Sequence, residues 1–224
     1  MSFVKYHLPC PKCGGSDPVS VDEKGNGYCF SCQTYLKDYD GENETVSDIK
    51  TYQRNSMNTS QGSFNELTDR GISLDTAKKY GVKSILNSDG SINSHIYPYF
   101  ISNEMVGTKK RSVENKEFLW QGTTKGTILF GQNLFGNKGK FVTLTEGECD
   151  AMAAYQMLGS KWPVVSIKNG AGGAVKDVKE NLEFLEAFEY VVIAFDSDKV
   201  GQDSARRVAR VLKPGKAKIL TLPE

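Results

Sequence analysis

The chain has 224 residues, of which 38% are hydrophobic and 25% are charged, and its formal net charge at pH 7 is +1. This length is enough for one full hydrophobic core and a small additional domain. The near-neutral charge excludes a uniformly basic protein, so any binding of nucleic acid has to come from locally placed charge. No apolar run approaches the roughly 20 residues that span a bilayer, and residues 1–12 lack the apolar core of a signal peptide. We therefore expect a soluble intracellular protein with no membrane partner.

The first predicted element is a small zinc ribbon. Four cysteines form two C-x2-C pairs with fifteen residues (14–28) between them: Cys10, Cys13, Cys29 and Cys32. In a chain without an export signal, this spacing is typical of one zinc ion held by four thiolates. The alternative is a pair of disulfides or four unrelated thiols. Alternating apolar residues around a Gly25-Asn26-Gly27 turn predict a β-hairpin that joins the two pairs.

The ribbon is followed by a polar segment that we interpret as a linker. Residues 37–62 are first acidic and then rich in serine and asparagine, with almost nothing to bury. This composition favours a flexible linker over a long surface loop of a compact domain. The predicted organisation is therefore a zinc-binding ribbon over residues 1–36, a linker over 37–62 and a larger domain over 63–224.

A basic β-hairpin is the next predicted element, and its turn lies at residues 102–104. Because side chains alternate along a strand, Lys109 and Arg111 share one face while Lys110 points to the other, solvated face. Lys116 follows nearby. On pattern alone, these cations favour a solvated strand that resists edge pairing, and only their context can give them a function.

The last third of the chain alternates strands and helices. Apolar strand patterns occur at 141–145, 163–167, 190–195 and 217–222, and amphipathic helices separate them. The glycine-rich stretch Gly170 to Gly173 is predicted to form a tight turn. This alternation is typical of an α/β fold with a largely parallel sheet covered by helices on both faces.

Acidic side chains follow two of these strands. Glu146 and Asp150 come after the first strand, and Asp196 and Asp198 come after the third. Because the carboxyl ends of parallel strands meet at one edge of a sheet, we expect these carboxylates to converge. Oxygen ligands of this kind select magnesium or manganese. The alternative is that the acids only favour the dipoles of helix N-termini or cap them.

The motifs TEGECDA and FDSDKVG resemble the Toprim domain that bacterial primases, topoisomerases and related nucleases share. With FVKYHLPCPKCGGSD and the ribbon in front, nearly the whole chain resembles the primase half of the bifunctional phage primase-helicase family. The resemblance implies an RNA polymerase domain over residues 63–224, with a basic subdomain over 63–138 and a Toprim subdomain over 139–224. It also implies a DNA primase that makes short RNA primers on single-stranded DNA by magnesium-dependent nucleotidyl transfer.

The resemblance also assigns roles to individual residues. Six positions match catalytic residues of the family: Glu146, Asp150, Asp196, Asp198, Lys109 and Lys116. The magnesium or manganese ligands would be Glu146, Asp196 and Asp198, and the incoming triphosphate would be held by Lys109 and Lys116 with Arg111 at its side. Four side chains of the ribbon are candidates for template contact: Asn26, Tyr28, Phe30 and Tyr35. Phe30 and Tyr35 could instead pack under the zinc hairpin.

The family implies cofactors, partners and a location for this chain. The cofactors would be one structural zinc ion and catalytic magnesium or manganese. The partners would be a single-stranded DNA template, ribonucleoside triphosphates and a replicative helicase or polymerase. As a phage protein, the chain would act in the cytoplasm of a bacterial host.

Three departures from the family pattern keep other functions open. The chain ends at TLPE, where the family continues into a further acidic motif. It contains no G-x-x-x-x-G-K-[ST] loop, so we expect no ATP-driven unwinding. Asn26 occupies a turn where the family has histidine, which leaves the template sequence open. The alternatives are a non-catalytic zinc and Toprim DNA-binding mediator, and a remnant that recognises templates without polymerising.

Three further residue sets have less specific interpretations. His95 has no visible partner and is expected to be structural, and Cys149 is expected to be an ordinary buried thiol. Three cations have the spacing of one helix face: Arg206, Arg210 and Lys213. This pattern favours a solvated face over a contact with the DNA backbone.

Overall fold

The structure is a computed structural model that describes residues 3–12, 15–31, 34–39 and 62–221. The chain divides into two compact units, one within Met1–Tyr52 and the other within Gln53–Glu224. Most of the predicted linker and two of the predicted zinc ligands, Cys13 and Cys32, lie outside the described residues. The domain bounds therefore stay a prediction. In the described parts of the chain, no helix is long and apolar enough to cross a membrane.

The first unit contains an antiparallel sheet with strands in the order β1-β2-β3-β4. The strands are β1 (Phe3–Leu8), β2 (Val19–Asp22), β3 (Gly27–Cys29) and β4 (Thr34–Leu36). The predicted hairpin is present, because β2 and β3 pair antiparallel. Asp22 closes its turn, since Oδ1 accepts hydrogen bonds from the backbone N–H groups of Lys24 and Asn26, both at 2.9 Å. Gly25 supplies the positive φ of +81° that this turn needs.

A very small core holds the first unit together. Its buried members are Cys10, Val19, Val21, Cys29 and Tyr39. Cys10 and Cys29 come from the two different cysteine pairs, and they are 2% and 0% exposed. A core of this size buries too little apolar surface to fold alone, and a structural metal is a common way to compensate.

The second unit begins with a short helix and a second antiparallel sheet. Helix α1 (Leu74–Tyr80) starts at Ser73, whose Oγ accepts a hydrogen bond from the Thr76 N–H at 3.3 Å. The sheet has the order β5-β6-β7-β8. Its strands are β5 (Lys83–Leu86), β6 (Ile92–Ile101), β7 (Glu104–Ser112) and β8 (Phe118–Gly122). The predicted basic hairpin is therefore formed by β6 and β7, which pair antiparallel.

The remainder of the second unit is a parallel sheet with helices on both faces, as predicted. Its strands have the order β10-β9-β11-β12 and all pair parallel. They are β9 (Gly139–Thr145), β10 (Val164–Ser166), β11 (Phe188–Ala194) and β12 (Ala217–Ile219). The helices are α2 (Glu148–Met157), α3 (Gly170–Glu180), α4 (Leu182–Glu186) and α5 (Lys199–Ala209).

Two hydrophobic clusters lie on opposite faces of this sheet. Val164 of β10 joins a cluster that includes Met152 of α2 and Tyr80 of α1. The next residue, Val165, joins the other cluster with Val178 of α3 and further residues of α4 and α5. Neighbouring side chains of one strand thus enter different cores, as the alternation along a strand requires.

The predicted tight turn at Gly170 to Gly173 is wrong, because these residues form the first turn of α3. Only Gly170 has a left-handed φ, of +61°. Gly173 instead allows a close approach, since a Cβ added there would lie 2.5 Å from Cβ of Asn169. Gly173 permits close packing at the start of the helix, and the glycines do not interrupt the helix.

Candidate active site

A cleft of about 520 Å³ lies at the carboxyl ends of the parallel strands. Five of the predicted site residues line it: Lys109, Arg111, Glu146, Asp150 and Asp196. Lys116 and Asp198 do not. The topology explains why these side chains lie close together, because β9 and β11 are neighbours in the sheet and end at the same edge. Acids that are about 50 residues apart in sequence therefore share one cleft with cations from β7.

The two carboxylate oxygens of Glu146 have different surroundings. Its Oε1 accepts a hydrogen bond from the backbone N–H of Ala171 at 3.2 Å. Its Oε2 is buried and has no hydrogen-bond partner among the described residues. Burial, followed by the negative charge of Asp196, raises the pKa of Glu146 above its ordinary value. An uncompensated buried carboxylate oxygen is costly, and a cation is the partner that would satisfy it.

Asp150 belongs to the same acidic group. Asp150 is exposed as a whole residue, but desolvation at its carboxyl raises its pKa, and the charge of Asp196 adds to this effect. The carboxylate lies close to the backbone of Gly147, where an added Cβ would be 2.6 Å from Oδ2 of Asp150. Glycine at position 147 therefore leaves the room that this carboxylate occupies.

Asp196 and Asp198 both follow β11 and are exposed. Asp198 caps α5, because its Oδ1 accepts a hydrogen bond from the Gly201 N–H at 2.7 Å. The capping role that the sequence allowed as an alternative is thus present at this position. One oxygen of Asp198 remains available beside the cap.

The acids do not form a ready-made metal cage. Among the described residues, no three histidine, cysteine or acidic side chains are grouped so that they could hold a metal ion. The negative charge of Asp196 nevertheless contributes to the raised pKa of both Glu146 and Asp150. A divalent ion at this edge would therefore need oxygen ligands from a substrate or water as well, which is usual for magnesium.

Lys109 is more enclosed than the sequence suggested, with 7% of its surface exposed. Its Nζ donates to Oε1 of Glu148 at 2.7 Å and to the carbonyl oxygen of Lys168 at 2.9 Å. The ammonium also lies 4.5 Å from the ring centroid of Phe118. Glu148 additionally accepts the hydroxyl of Tyr99 at 2.6 Å. The charge of Lys109 is thus already paired within the protein.

The other predicted cations differ in their position. Lys116 is exposed in the turn between β7 and β8, with φ of +59°. Arg111 lines the cleft, and its Nη1 is buried without a hydrogen-bond partner among the described residues. Lys110 is half-buried and does not line the cleft, so its expected full solvation is only partial.

Several residues of the cleft were missed in the sequence. They are Arg70, Glu148, Cys149, Lys168 and Asn169. Glu148 and Cys149 belong to the TEGECDA motif, and Lys168 and Asn169 follow the carboxyl end of β10, so the strand-end rule could have found them. Arg70 precedes α1 and carries no such local signal. Cys149 is half-buried, and burial raises the pKa of its thiol to about 11.

The ribbon candidates are described within the first unit alone. Phe30 and Tyr35 are 59% and 54% exposed, so neither packs under the hairpin. Tyr28 pairs with Tyr35 across β3 and β4, and its ring lies 5.1 Å from that of Phe30. The Asn26 side chain is half-buried and accepts the Asp38 N–H at 3.5 Å. The aromatic rings are therefore more accessible to a ligand than Asn26.

The structure gives partners to His95 and corrects the expectation for Lys213. His95 has partners, because its ring nitrogens lie 3.1 Å from Asp69 Oδ1 and from the Tyr97 hydroxyl. Lys213 does not share a helix face with Arg206, since α5 ends at Ala209. The Nζ of Lys213 forms an ion pair with Oε2 of Glu186 at 3.5 Å. Alternation along β6 could have indicated Tyr97, two residues from His95, whereas Asp69 and Glu186 come from distant segments.

Comparisons with known proteins identify relatives of this chain. A family model described as Toprim-like matches residues 143–224. The DNA helicase/primase of Enterobacteria phage T3 is 30% identical over 236 residues, which cover 99% of this chain and 40% of that protein. The chain thus spans 40% of the length of this curated relative.

Solved structures give the same picture. The primase fragment of the bacteriophage T7 primase-helicase protein is 32% identical, with a TM-score of 0.68 over 99% of this chain and 91% of that chain. A second T7 structure is 31% identical with a TM-score of 0.63, covering 100% of this chain and 89% of that chain. It contains primase domains of two gp4 subunits, bound to an RNA/DNA hybrid and dTTP, with the lagging-strand DNA polymerase. The Aquifex aeolicus primase, at 15% identity and a TM-score of 0.52 over 100% of this chain and 75% of that chain, shares the fold.

Proposed function

The chain belongs to the phage primase-helicase family, in which it corresponds to the primase half, and we propose that it synthesises short RNA primers on single-stranded DNA from ribonucleoside triphosphates. The observation that carries the proposal is a shared cleft. Glu146, Asp150 and Asp196 line it, and they face the cations of β7. Phosphoryl transfer needs little covalent chemistry from a protein. It needs positioning of the nucleotide and compensation of phosphate charge, and this cleft offers groups for both.

The acidic residues fit a magnesium or manganese ion. Glu146 would bind it through the unpartnered Oε2, and Asp196 and the uncapped oxygen of Asp198 would complete the protein ligands. When bound, such an ion would compensate the charge of the triphosphate and of the pyrophosphate leaving group. Asp150 would add negative charge beside it.

Glu146 is also the candidate for accepting the proton of the attacking 3′-hydroxyl. The raised pKa of Glu146 brings this carboxyl closer to neutral pH, where a general base works best. Binding an ion and accepting the proton predict different behaviour. If Glu146 binds the ion, more magnesium should partly rescue Glu146→Gln, and if it is the base, magnesium should have no such effect.

The basic residues would bind the triphosphate to different degrees. Arg111 lines the cleft and has a buried Nη1 without a hydrogen-bond partner among the described residues, which a phosphate oxygen would satisfy. Lys116 would approach from its exposed turn. Lys109 would act mainly as a fixed positive charge behind the site, because Glu148 and the Lys168 carbonyl already hold its ammonium.

The first unit would recognise the template. Four cysteines, of which Cys10 and Cys29 are buried together, would hold one zinc ion and keep the ribbon folded. The exposed rings of Phe30 and Tyr35 would stack on template bases. A replicative helicase or polymerase would be the protein partner, and the cytoplasm of the infected bacterium the place of action.

The experiment that tests the proposal is primer synthesis by the full chain with labelled ribonucleotides, magnesium and a mixed-sequence single-stranded DNA. Asp196→Asn should lower synthesis by at least about a hundredfold, because it removes a ligand charge at the reacting phosphates. Asp203→Asn is the matched control, since Asp203 lies on α5, pairs with Arg206 at 2.9 Å and is outside the cleft. Equal synthesis by wild type and Asp196→Asn would contradict the proposal.

A non-catalytic DNA-binding mediator is the second candidate. The observation in its favour is that the described acids form no group of three that could hold a metal ion by itself. This candidate predicts zinc-dependent binding of single-stranded DNA by the wild type without any labelled product in the same assay. Product that depends on Asp196 would exclude it.

A further inference from the structure

A chain of hydrogen bonds runs from the surface of the second unit to the cleft. His95 in β6 is 0% exposed, and its Nε2 lies 3.1 Å from Oδ1 of Asp69, whose side chain is 23% exposed. Its Nδ1 lies 3.1 Å from the hydroxyl of Tyr97, and that hydroxyl lies 3.2 Å from Sγ of Cys149 at the cleft. Four polar groups from three segments of the chain are thus connected.

The chemistry of the partners determines which atoms of this hydrogen-bond network carry protons. The Asp69 carboxylate can only accept, so Nε2 of His95 carries the proton and donates. In a neutral ring, Nδ1 then accepts from the Tyr97 hydroxyl, which in turn accepts from the thiol of Cys149. Burial is the main cause that lowers the pKa of His95, and the charges of Arg111 and Arg70 lower it further against the opposing effect of Asp69. His95 is therefore a neutral ring with one orientation.

The same hydrogen-bond network lies next to both arginines of the cleft. Oδ2 of Asp69, the oxygen that His95 does not use, lies 3.7 Å from Nε of Arg70. Arg111 is the cross-strand partner of His95 in β7. Arg70 and Arg111 both line the cleft, and Nη1 of Arg111 is buried without a hydrogen-bond partner among the described residues. Because His95 is neutral, it does not repel these two guanidinium groups.

We propose that Asp69 and His95 are positioning residues: His95 orients Asp69, and Asp69 holds Arg70 at the cleft, where Arg70 and Arg111 bind phosphates of the incoming nucleotide. Guanidinium groups suit phosphate oxygens because their donors form a planar fork. An arginine held in place before the ligand arrives loses less rotational freedom on binding. The inference rests on the proposed primase function and adds Arg70, Asp69 and His95 to its nucleotide site.

The test is the affinity of the full chain for ATP in the presence of magnesium, measured by titration calorimetry. Asp69→Asn keeps the shape of the side chain and removes its charge, so the Kd for ATP should rise by about fivefold. Asp75→Asn is the matched control, because Asp75 is an exposed acid on α1 outside the cleft, and its Kd should equal that of the wild type.

Two further comparisons separate positioning from a merely structural role. His95→Gln keeps an N–H donor for Asp69 and should bind ATP like the wild type, whereas His95→Leu should bind it as weakly as Asp69→Asn. In an Arg70→Gln background, Asp69→Asn should have no further effect, because Asp69 acts through Arg70. Thermal melting of each variant shows whether it is folded, and Asp69→Asn alters only a partly exposed side chain.

The outcomes that overturn the inference are distinct from those that overturn the proposed function. Wild-type affinity in Asp69→Asn, additive effects of Asp69→Asn and Arg70→Gln, or absence of ATP binding by the wild type would each refute the positioning role. Primer synthesis by the wild type is measured in parallel. If the wild type binds ATP but makes no primers, the proposed function fails, while the Asp69 comparison still decides the inference.

Discussion

The cleft has an acidic side, formed by Glu146, Asp150 and Asp196, and a basic side, formed by Lys109, Lys168 and the two arginines. The two sides differ in how far their charges are compensated within the protein. On the acidic side, Oε2 of Glu146 has no hydrogen-bond partner among the described residues, and the pKa values of Glu146 and Asp150 are raised by burial and by Asp196. On the basic side, Lys109 is paired with Glu148 at 2.7 Å. Lys168 is likewise buried and paired with Glu180 at 3.2 Å.

This difference shows that the net charge of a cleft does not identify which of its side chains bind a ligand. The buried lysines stabilise the arrangement of the sheets, because each carboxylate partner comes from another element of the fold. Glu146 and Arg111 each keep a buried atom without a hydrogen-bond partner among the described residues, and such groups gain most from a ligand. The predictions below alter one side at a time.

The largest effect on stability is expected from Glu148→Gln. The change keeps the shape and the hydrogen bond from Tyr99, but it leaves the buried ammonium of Lys109 without its counter-charge. Removing one partner of a buried ion pair costs about 3–5 kcal/mol of unfolding free energy. Urea unfolding followed by circular dichroism measures this loss, and Glu183→Gln, at an exposed position of α4, is the matched control.

A second variant tests whether the loss comes from the unpaired charge. In Glu148→Gln combined with Lys109→Met, no buried charge remains, so part of the stability should return. The Lys109→Met single variant completes the comparison. If the stability losses of Glu148→Gln and Lys109→Met simply add in the double variant, the pairing of Lys109 with Glu148 is not the cause.

A smaller effect is expected at Asp198, where capping and metal binding can be separated. Asp198→Ala removes the acceptor for the Gly201 N–H and should lower the unfolding free energy by about 1 kcal/mol. Asp198→Ser keeps a capping oxygen and removes the carboxylate, so it should be as stable as the wild type. If Asp198 also binds the catalytic ion, primer synthesis should fall in both variants. Activity that follows stability alone would limit Asp198 to capping.

The sequence allowed the acidic side to be predicted well because its signals are local. A buried strand pattern followed directly by Glu146 or by Asp196 predicts both the strand and the edge of the sheet at which the carboxylate lies. The capping of α5 by Asp198 was likewise visible as an alternative, because an aspartate stood just before an amphipathic helix.

The basic side was predicted less well because its contacts are tertiary. Lys109 and Glu148 are 39 residues apart, and Asp69 and His95 are 26 apart. Spacing along β7 showed that Lys109 and Arg111 share a face, and it could not show which of them another element would pair. The helix at Gly170 was missed for a different, local reason, because a run of glycines is also typical of a turn, and only Gly173 is explained by its contact with Asn169.

The smallest effect is expected from Glu146→Gln, which tests the uncompensated acid itself. A carboxyl whose pKa is raised in the folded state binds protons more readily there, so stability decreases as pH rises from the ordinary carboxyl pKa through the raised value. At neutral pH without divalent ions, Glu146→Gln should therefore raise the unfolding free energy, by about 0.5–1 kcal/mol, as stabilising changes at functional sites often do. Below that pH window, the two proteins should be equally stable. Urea unfolding in EDTA at several pH values measures this difference, and adding magnesium should reduce it only if the wild type gains stability from binding the ion through Glu146.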